Sequence, residues 1–279
     1  NFKMSDLPAL IKKLYFNADG LNRQEIKKKL KNLKNLLKTS NNIQKSDFFD
    51  YIKSFIFEKS KTTKNNDIFI SLNLASAIAN KDIDFDRNML KCSILNCYNN
   101  NIKSSTLKYI KKHAKHYRLM TFNILKPQIS EQIEKNLIRK NFDANAIDNK
   151  KSVSIIETNL NLLSALFPKC FTRKNILNEL KSQQIDYKVV FEIGVRHSNR
   201  FVRESVLNLV SAVCSSCFVD DQNASPEFSE ILGFLGLKNG VIYVGLRDNW
   251  SQVRYKASIA ARNFSDLFCW DQKIFKALL

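Results

Sequence analysis

The chain has 279 residues, 44% of them hydrophobic, with only 6 Gly and 4 Pro. That is enough apolar material for a substantial core and too few turn formers for an all-β fold or a loop-rich α/β enzyme. The formal net charge of +19 points to acidic partners drawn by long-range fields, and no apolar run reaches the roughly 18 residues of a membrane span.

The helical pattern begins at once. Leu7, Leu10, Ile11 and Leu14 share one face of a first helix that Ser5 can cap. Asn22 followed by Glu25 forms a capping-box-like start, and Ile26, Leu30, Leu33 and Leu37 recur behind it at helical spacing. Segments with Phe48, Phe49, Ile52, Phe55 and Ile56, then "DIFISLNLASAIAN", "FDRNMLKCSILNCY", "SSTLKYIKKHAKHYRLM" and "QISEQIEKNLIRKN" continue the rhythm. "SVSIIETNLNLLSALF" and "TRKNILNELKSQ" extend it past Asp148. No run alternates with period 2 between turn signals. Short polar clusters join the segments, the layout of antiparallel helix hairpins.

Near the end the chain repeats itself. Phe191–Val213 aligns without a gap over Ile242–Phe264 at an offset of 51 residues. Gly194 meets Gly245, Arg196 meets Arg247, and Val202-Arg203 meets Val253-Arg254. The apolar set Val202, Val206, Leu209, Val210, Val213 and Cys217 meets Val253, Ala257, Ala260, Ala261, Phe264 and Phe268. Each unit is a short helix ending near Arg, a polar turn, and a second helix entered at Val-Arg. Asp248 is expected to cap the second helix or pair with an arginine, Arg254 first. Trp250 is expected to be buried as a staple against the next repeat.

In these features "LRDNWSQVRYKASIAA" resembles a HEAT repeat of the armadillo-like solenoid class; "VRHSNRFVRESVLNLV" fits less closely, with His197 where the Asp would stand. The offset exceeds the usual repeat of about 40–47 residues, and the polar stretch Asp220–Pro226 can supply the excess. The resemblance covers residues 186–268 and is only rhythmic over the first 180. It implies an all-α superhelix of stacked helix hairpins running through residues 1–279 as one array, with a lysine-rich first half (1–150) and clearer repeats in 186–268.

That first half holds 29 Lys+Arg against 14 Asp+Glu; residues 151–279 hold 16 against 12. Lys27, Lys28, Lys31, Lys34 and Lys38 make a stripe on one predicted helix face. Lys108, Lys111, Lys112, Lys115 and Arg118 make another, opposite Leu107, Ile110, Ala114 and Tyr117. Both are candidate surfaces for phosphates or acidic peptides. His113 and His116, three residues apart in the second stripe, are expected as solvated basic-face residues.

No catalytic constellation is assembled in the sequence, and no cofactor or metal is expected. "CSSC" (Cys214–Cys217) has redox or zinc spacing but lies within a helix with no second ligand pair, so core thiols are expected. Asp82, Asp84 and Asp86 resemble the start of a calcium loop, yet the Gly is missing and Ser93 stands where Glu is needed. Six sparse cysteines suit free thiols in a reducing, intracellular compartment, cytoplasm or nucleus. The reading is a non-enzymatic scaffold or adaptor binding acidic protein partners, with Asp248, Trp250, Val253, Arg254, Val202 and Arg203 building the repeats. The alternative is binding of nucleic acid or another acidic polymer by the basic half. That alternative includes roles similar to those of HEAT-like DNA glycosylases or tubulin-binding TOG arrays, whose turns present Trp and basic residues.

Overall fold

The computed structural model describes residues 7–39, 47–78, 83–99, 101–139, 150–171, 173–180, 184–216, 233–236 and 240–266. Every regular element among the described residues is helical, as the periodicity predicts. The chain divides into two compact units, Asn1–Leu125 and Lys126–Leu279.

The first unit holds α1 (Leu7–Phe16), α2 (Arg23–Thr39), α3 (Asp47–Ser60), α4 (Asn65–Ile78), α5 (Ile83–Asn96) and the beginning of α6 (Lys103–Ile133). Residue 5, the expected cap of α1, lies outside the described residues, as do the side chains of Leu37, Phe48 and Phe49. α2 opens with the anticipated reciprocal cap. Asn22 Oδ1 accepts from the backbone N–H of Glu25 at 3.0 Å, and Glu25 Oε2 accepts from the N–H of Asn22 at 2.9 Å. α2 then buries Ile26, Leu30 and Leu33. α4 is buried over most of its circumference, with Ile68 to Leu72, Leu74, Ala75 and Ile78 all in the core, and α2 and α3 pack against it. A helix that is apolar nearly all round belongs to the interior.

α6 is not one helix. Arg118 has φ 39° and ψ −114°, which breaks the backbone ladder. His113 Nδ1 lies 3.2 Å from Thr121 Oγ1, eight residues on. In a continuous helix eight residues rise about 12 Å, so the chain turns back at the break.

The second unit contains the end of α6, a π-helical turn at Glu134–Ile138, α7 (Lys150–Cys170), α8 (Arg173–Leu180), α9 (Tyr187–Val195), α10 (Arg200–Ser216), α11 (Val241–Leu246) and α12 (Ser251–Asp266). α10 packs between α7 and α12, and α9 packs between the π-helical turn and α11. Polar contacts fix the register of the first layer. Asn161 donates to Ser205 Oγ at 3.1 Å, Ser164 to the carbonyl of Asn208 at 3.0 Å, and Asn263 to Ser211 Oγ at 2.8 Å.

The sequence repeat is a structural repeat. α10 and α12 begin 51 residues apart, at Arg200 and Ser251. α9 and α11 end at equivalent caps, where the N–H groups of Arg196 and Arg247 return to the carbonyls two and three residues back. Val202, Val206, Leu209 and Val213 are buried, as are Val253, Ala257, Ala260 and Phe264. Ala261 is half-buried where Val210 is buried. Cys217, Phe268 and Asp220–Pro226 lie outside the described residues. Gly194 and Gly245 mark the same close approach of first to second helix. A Cβ on Gly194 would sit 2.4 Å from Val206 Cγ2; one on Gly245 would sit 3.0 Å from the Cβ of Ala257, the residue equivalent to Val206.

Candidate functional site

The basic face of the first unit is built from three neighbouring segments. Arg23 at the start of α2 donates to Asn66 Oδ1 of α4 at 3.3 Å and to the carbonyl of Asn101, just before α6. Asn99 bonds Asn65 at 2.7 Å. The N-terminal ends of α2, α4 and α6 therefore lie together. Further along, Lys34 of α2 donates to Asn73 Oδ1 at 2.6 Å, and Lys112 of α6 donates to the carbonyl of Ser76. Asn73 and Ser76 are three residues apart and so share one face of α4. Both lysine stripes thus reach the same strip of α4.

Lys27, Lys28 and Lys31 on α2, and Lys108, Lys111 and Lys115 on α6, remain exposed; Lys34 and Lys112 are half-buried and tether the stripes to α4. Segments 23–39, 65–78 and 103–117 carry Arg23 and eleven lysines against Glu25 and Asp67. Glu25 is occupied as a cap and Asp67 is buried. A groove of about 250 Å³ between α2 and α4 is lined by Lys27, Lys31, Lys34 and Asn73. A second, of about 520 Å³, is lined by Lys103, Leu107, Lys108 and Lys111. Arg118 requires a correction. Its place in the stripe presumes a helix continuing to residue 118, and the helical register ends at the break there.

His113 requires another. It is buried, not solvated: its side chain is fully covered, with Nε2 3.6 Å from the equally covered carboxylate of Asp86. Tyr117 donates to Asp86 Oδ2 at 3.1 Å, and Tyr109 packs against the imidazole at 5.9 Å. His116 is exposed, as expected. The signal for this buried cluster was present: Tyr109, His113 and Tyr117 recur at intervals of four beside Ile110 and Ala114, on the apolar side of α6. The partner Asp86 comes from α5, which no local pattern links to α6.

In the second unit the turn between α11 and α12 is closed by Asp248. Its Oδ1 accepts from the N–H of Trp250 at 2.9 Å, and its carboxylate accepts from Arg203 at 2.6 and 3.1 Å. The expected partner, Arg254, instead donates to the carbonyls of Asp248 and Asn249 at 2.7 and 3.0 Å. The repeat explains the exchange. Arg203 donates in the same way to the carbonyls of His197 and Ser198, both at 2.8 Å. Each arginine ties its own turn, so the Asp248 side chain is left to reach the preceding repeat. Burial alone would raise the Asp248 carboxyl, but the hydrogen bonds from Arg203 and Trp250 and the charges of Arg203 and Arg254 outweigh it and hold it below the usual range. His197 does half of this work: Nδ1 accepts from the N–H of Asn199 at 3.0 Å.

Trp250 is not a buried staple. It is 50% exposed, and the guanidinium of Arg200 lies 4.5 Å from its ring centroid. The ring lies against Arg200 of the preceding helix pair. Phe201 is 46% exposed and stacks on the same guanidinium at 4.7 Å.

Cys97, Cys170 and Cys214 are buried and Cys92 is half-buried, and burial is the main cause that pushes the Cys97 thiol up to about 12. Cys214 is buried in α10, whereas Cys217 lies outside the described residues. Among the described residues no group of three or more His, Cys, Asp or Glu is gathered to hold a metal, and no helix is long and apolar enough to cross a membrane.

No protein-family model and no curated protein matches the chain. Among solved structures, an engineered protein determined by the Northeast Structural Genomics Consortium is similar with a TM-score of 0.46 at 9% identity, covering 94% of this chain and 97% of that one. That likeness is too slight to assign a fold.

Proposed function

We propose that this chain is a HEAT-like helical-repeat adaptor, without catalytic activity, that holds an acidic partner protein on the face bordered by α2 and α6. The observation that carries this reading is the bonding of both lysine stripes to one strip of α4, Lys34 to Asn73 and Lys112 to Ser76, with Asp67, the one carboxylate of α4, buried. Exposed lysines held on rigid helices create a field that attracts carboxylates and contribute little to folding. Equivalent caps, core positions and arginine–carbonyl contacts in α9–α10 and α11–α12 support the repeat reading.

The test is a titration with fluorescent oligoglutamate. The parent chain binds, and binding falls as salt rises. The combined variant Lys108→Glu, Lys111→Glu and Lys115→Glu loses at least ten-fold in affinity with an unchanged melting temperature. Equal binding by parent and variant overturns the assignment. A second reading, nucleic acid on the same face, rests on the predominance of lysine, which suits phosphate as well as carboxylate. Tighter binding of a single-stranded oligonucleotide than of oligoglutamate, lost in the same variant, would favour it.

A further inference from the structure

The edge of the second unit where α10 and α12 begin carries a group that the repeat architecture leaves unexplained. Arg200 is the first residue of α10. Its guanidinium lies over two aromatic rings from successive repeats, Phe201 at 4.7 Å and Trp250 at 4.5 Å. The other arginines of these turns are occupied within the fold. Arg203 holds Asp248 and two carbonyls, Arg254 holds two carbonyls, and Arg247 bonds the hydroxyl of Tyr243. Arg200 has no carboxylate partner among the described residues.

Stacking on ring faces fixes a guanidinium while leaving its in-plane N–H fork open, and that fork matches a carboxylate in a bidentate pair. Side-chain entropy that binding would otherwise cost is thereby already spent. Phe201 and Trp250, each about half exposed, flank the fork with apolar surface. Asp248 adds no free negative charge, because Arg203 neutralises it.

We infer that Arg200, Phe201 and Trp250 form a second docking site, which takes an acidic segment of a partner protein. A carboxylate sits on the Arg200 fork and a neighbouring apolar side chain lies against the two rings. A protein segment is favoured over a nucleic-acid strand by the pairing already built beside it: Arg203, one turn on from Arg200, takes a carboxylate on two of its nitrogens. The site lies in the other unit from the lysine face and shares no residue with it, so it does not rest on the function proposed above.

The test uses the full chain with Trp270→Phe, which leaves Trp250 as its only tryptophan. The probe is a dodecapeptide in which two Leu are set among Glu and Gly. The peptide is expected to shift the Trp250 emission to the blue, with the same Kd when Lys108→Glu, Lys111→Glu and Lys115→Glu are added. Arg200→Gln raises that Kd at least ten-fold, and Arg200→Lys, which keeps the charge without the fork, recovers only part of the loss. Trp250→Phe with a labelled peptide gives an independent reading and weakens binding several-fold. The site is overturned if Trp250 does not respond, if Arg200→Gln binds like the parent, or if the lysine substitutions abolish the response. It is also overturned if oligo-deoxythymidine of the same length gives the stronger signal.

Discussion

Two single residues carry strain or charge whose removal has a calculable sign. Arg118 holds a positive φ of 39° where the chain reverses within α6. Such a backbone costs about 1–3 kcal/mol for a residue with a Cβ, whereas Gly populates it freely. Arg118→Gly is therefore expected to raise the melting temperature by a few degrees, measured by thermal denaturation; a fall would mean that the Arg118 side chain contributes more than its backbone costs. Asp248 has its carboxyl depressed in the folded state. A depressed carboxyl contributes stability that is fully present above its unfolded value of about 3.9 and is lost as pH falls through the folded value. Urea denaturation of the parent is expected to show this contribution at pH 7 and not at the acid end. Arg203→Gln should lower stability at pH 7 and flatten the slope below about pH 4. At this scale the sequence was only partly legible. That Asp248 closes a turn followed from its position before Val253-Arg254, but its partner depended on which carbonyls each arginine could reach. Trp250 read as a staple because a large ring usually finds cover, and here half of it is exposed and a guanidinium lies over it.

At the scale of elements, the close crossing of α9 on α10 depends on Gly194. A Cβ there would stand 2.4 Å from a methyl of the fully buried Val206. Overpacking of this kind costs about 1–3 kcal/mol, against a helix-propensity gain of roughly 0.5–1 kcal/mol for Gly→Ala. Gly194→Ala is expected to destabilise. Gly245→Ala meets the ends of Leu207 at 2.9 Å and the small Ala257 at 3.0 Å; it should stay within about 1 kcal/mol of the parent, where both terms offset. Paired melting curves decide between the two. Ala260 lies fully buried in α12. Ala260→Arg would force an unpaired charge into the core at a cost of several kcal/mol, and an unchanged midpoint would contradict the packing of α12 on α10. Helix existence, the Asn22–Glu25 cap and the offset of the last two hairpins were legible because they are local and periodic. The break at Arg118 was not, because "HYRLM" contains neither Gly nor Pro. Around that reversal stand His113, Thr121, Asp86 and Tyr117, drawn from three helical segments.

For the molecule as a whole, the charge asymmetry between the halves acquires a location. The two stripes were visible as helical periodicities; their meeting was not, because it depends on α4, a helix with no lysine at all, to which Lys34 and Lys112 each bond. The face proposed for an acidic partner depends on this meeting. Hydrogen–deuterium exchange of the full chain, with and without oligoglutamate at saturating concentration, addresses it most directly. Exchange is expected to slow in residues 23–38 and 103–117 and to stay unchanged in α3 and α5. Protection spread evenly over the chain, or confined to helices outside this face, would contradict it.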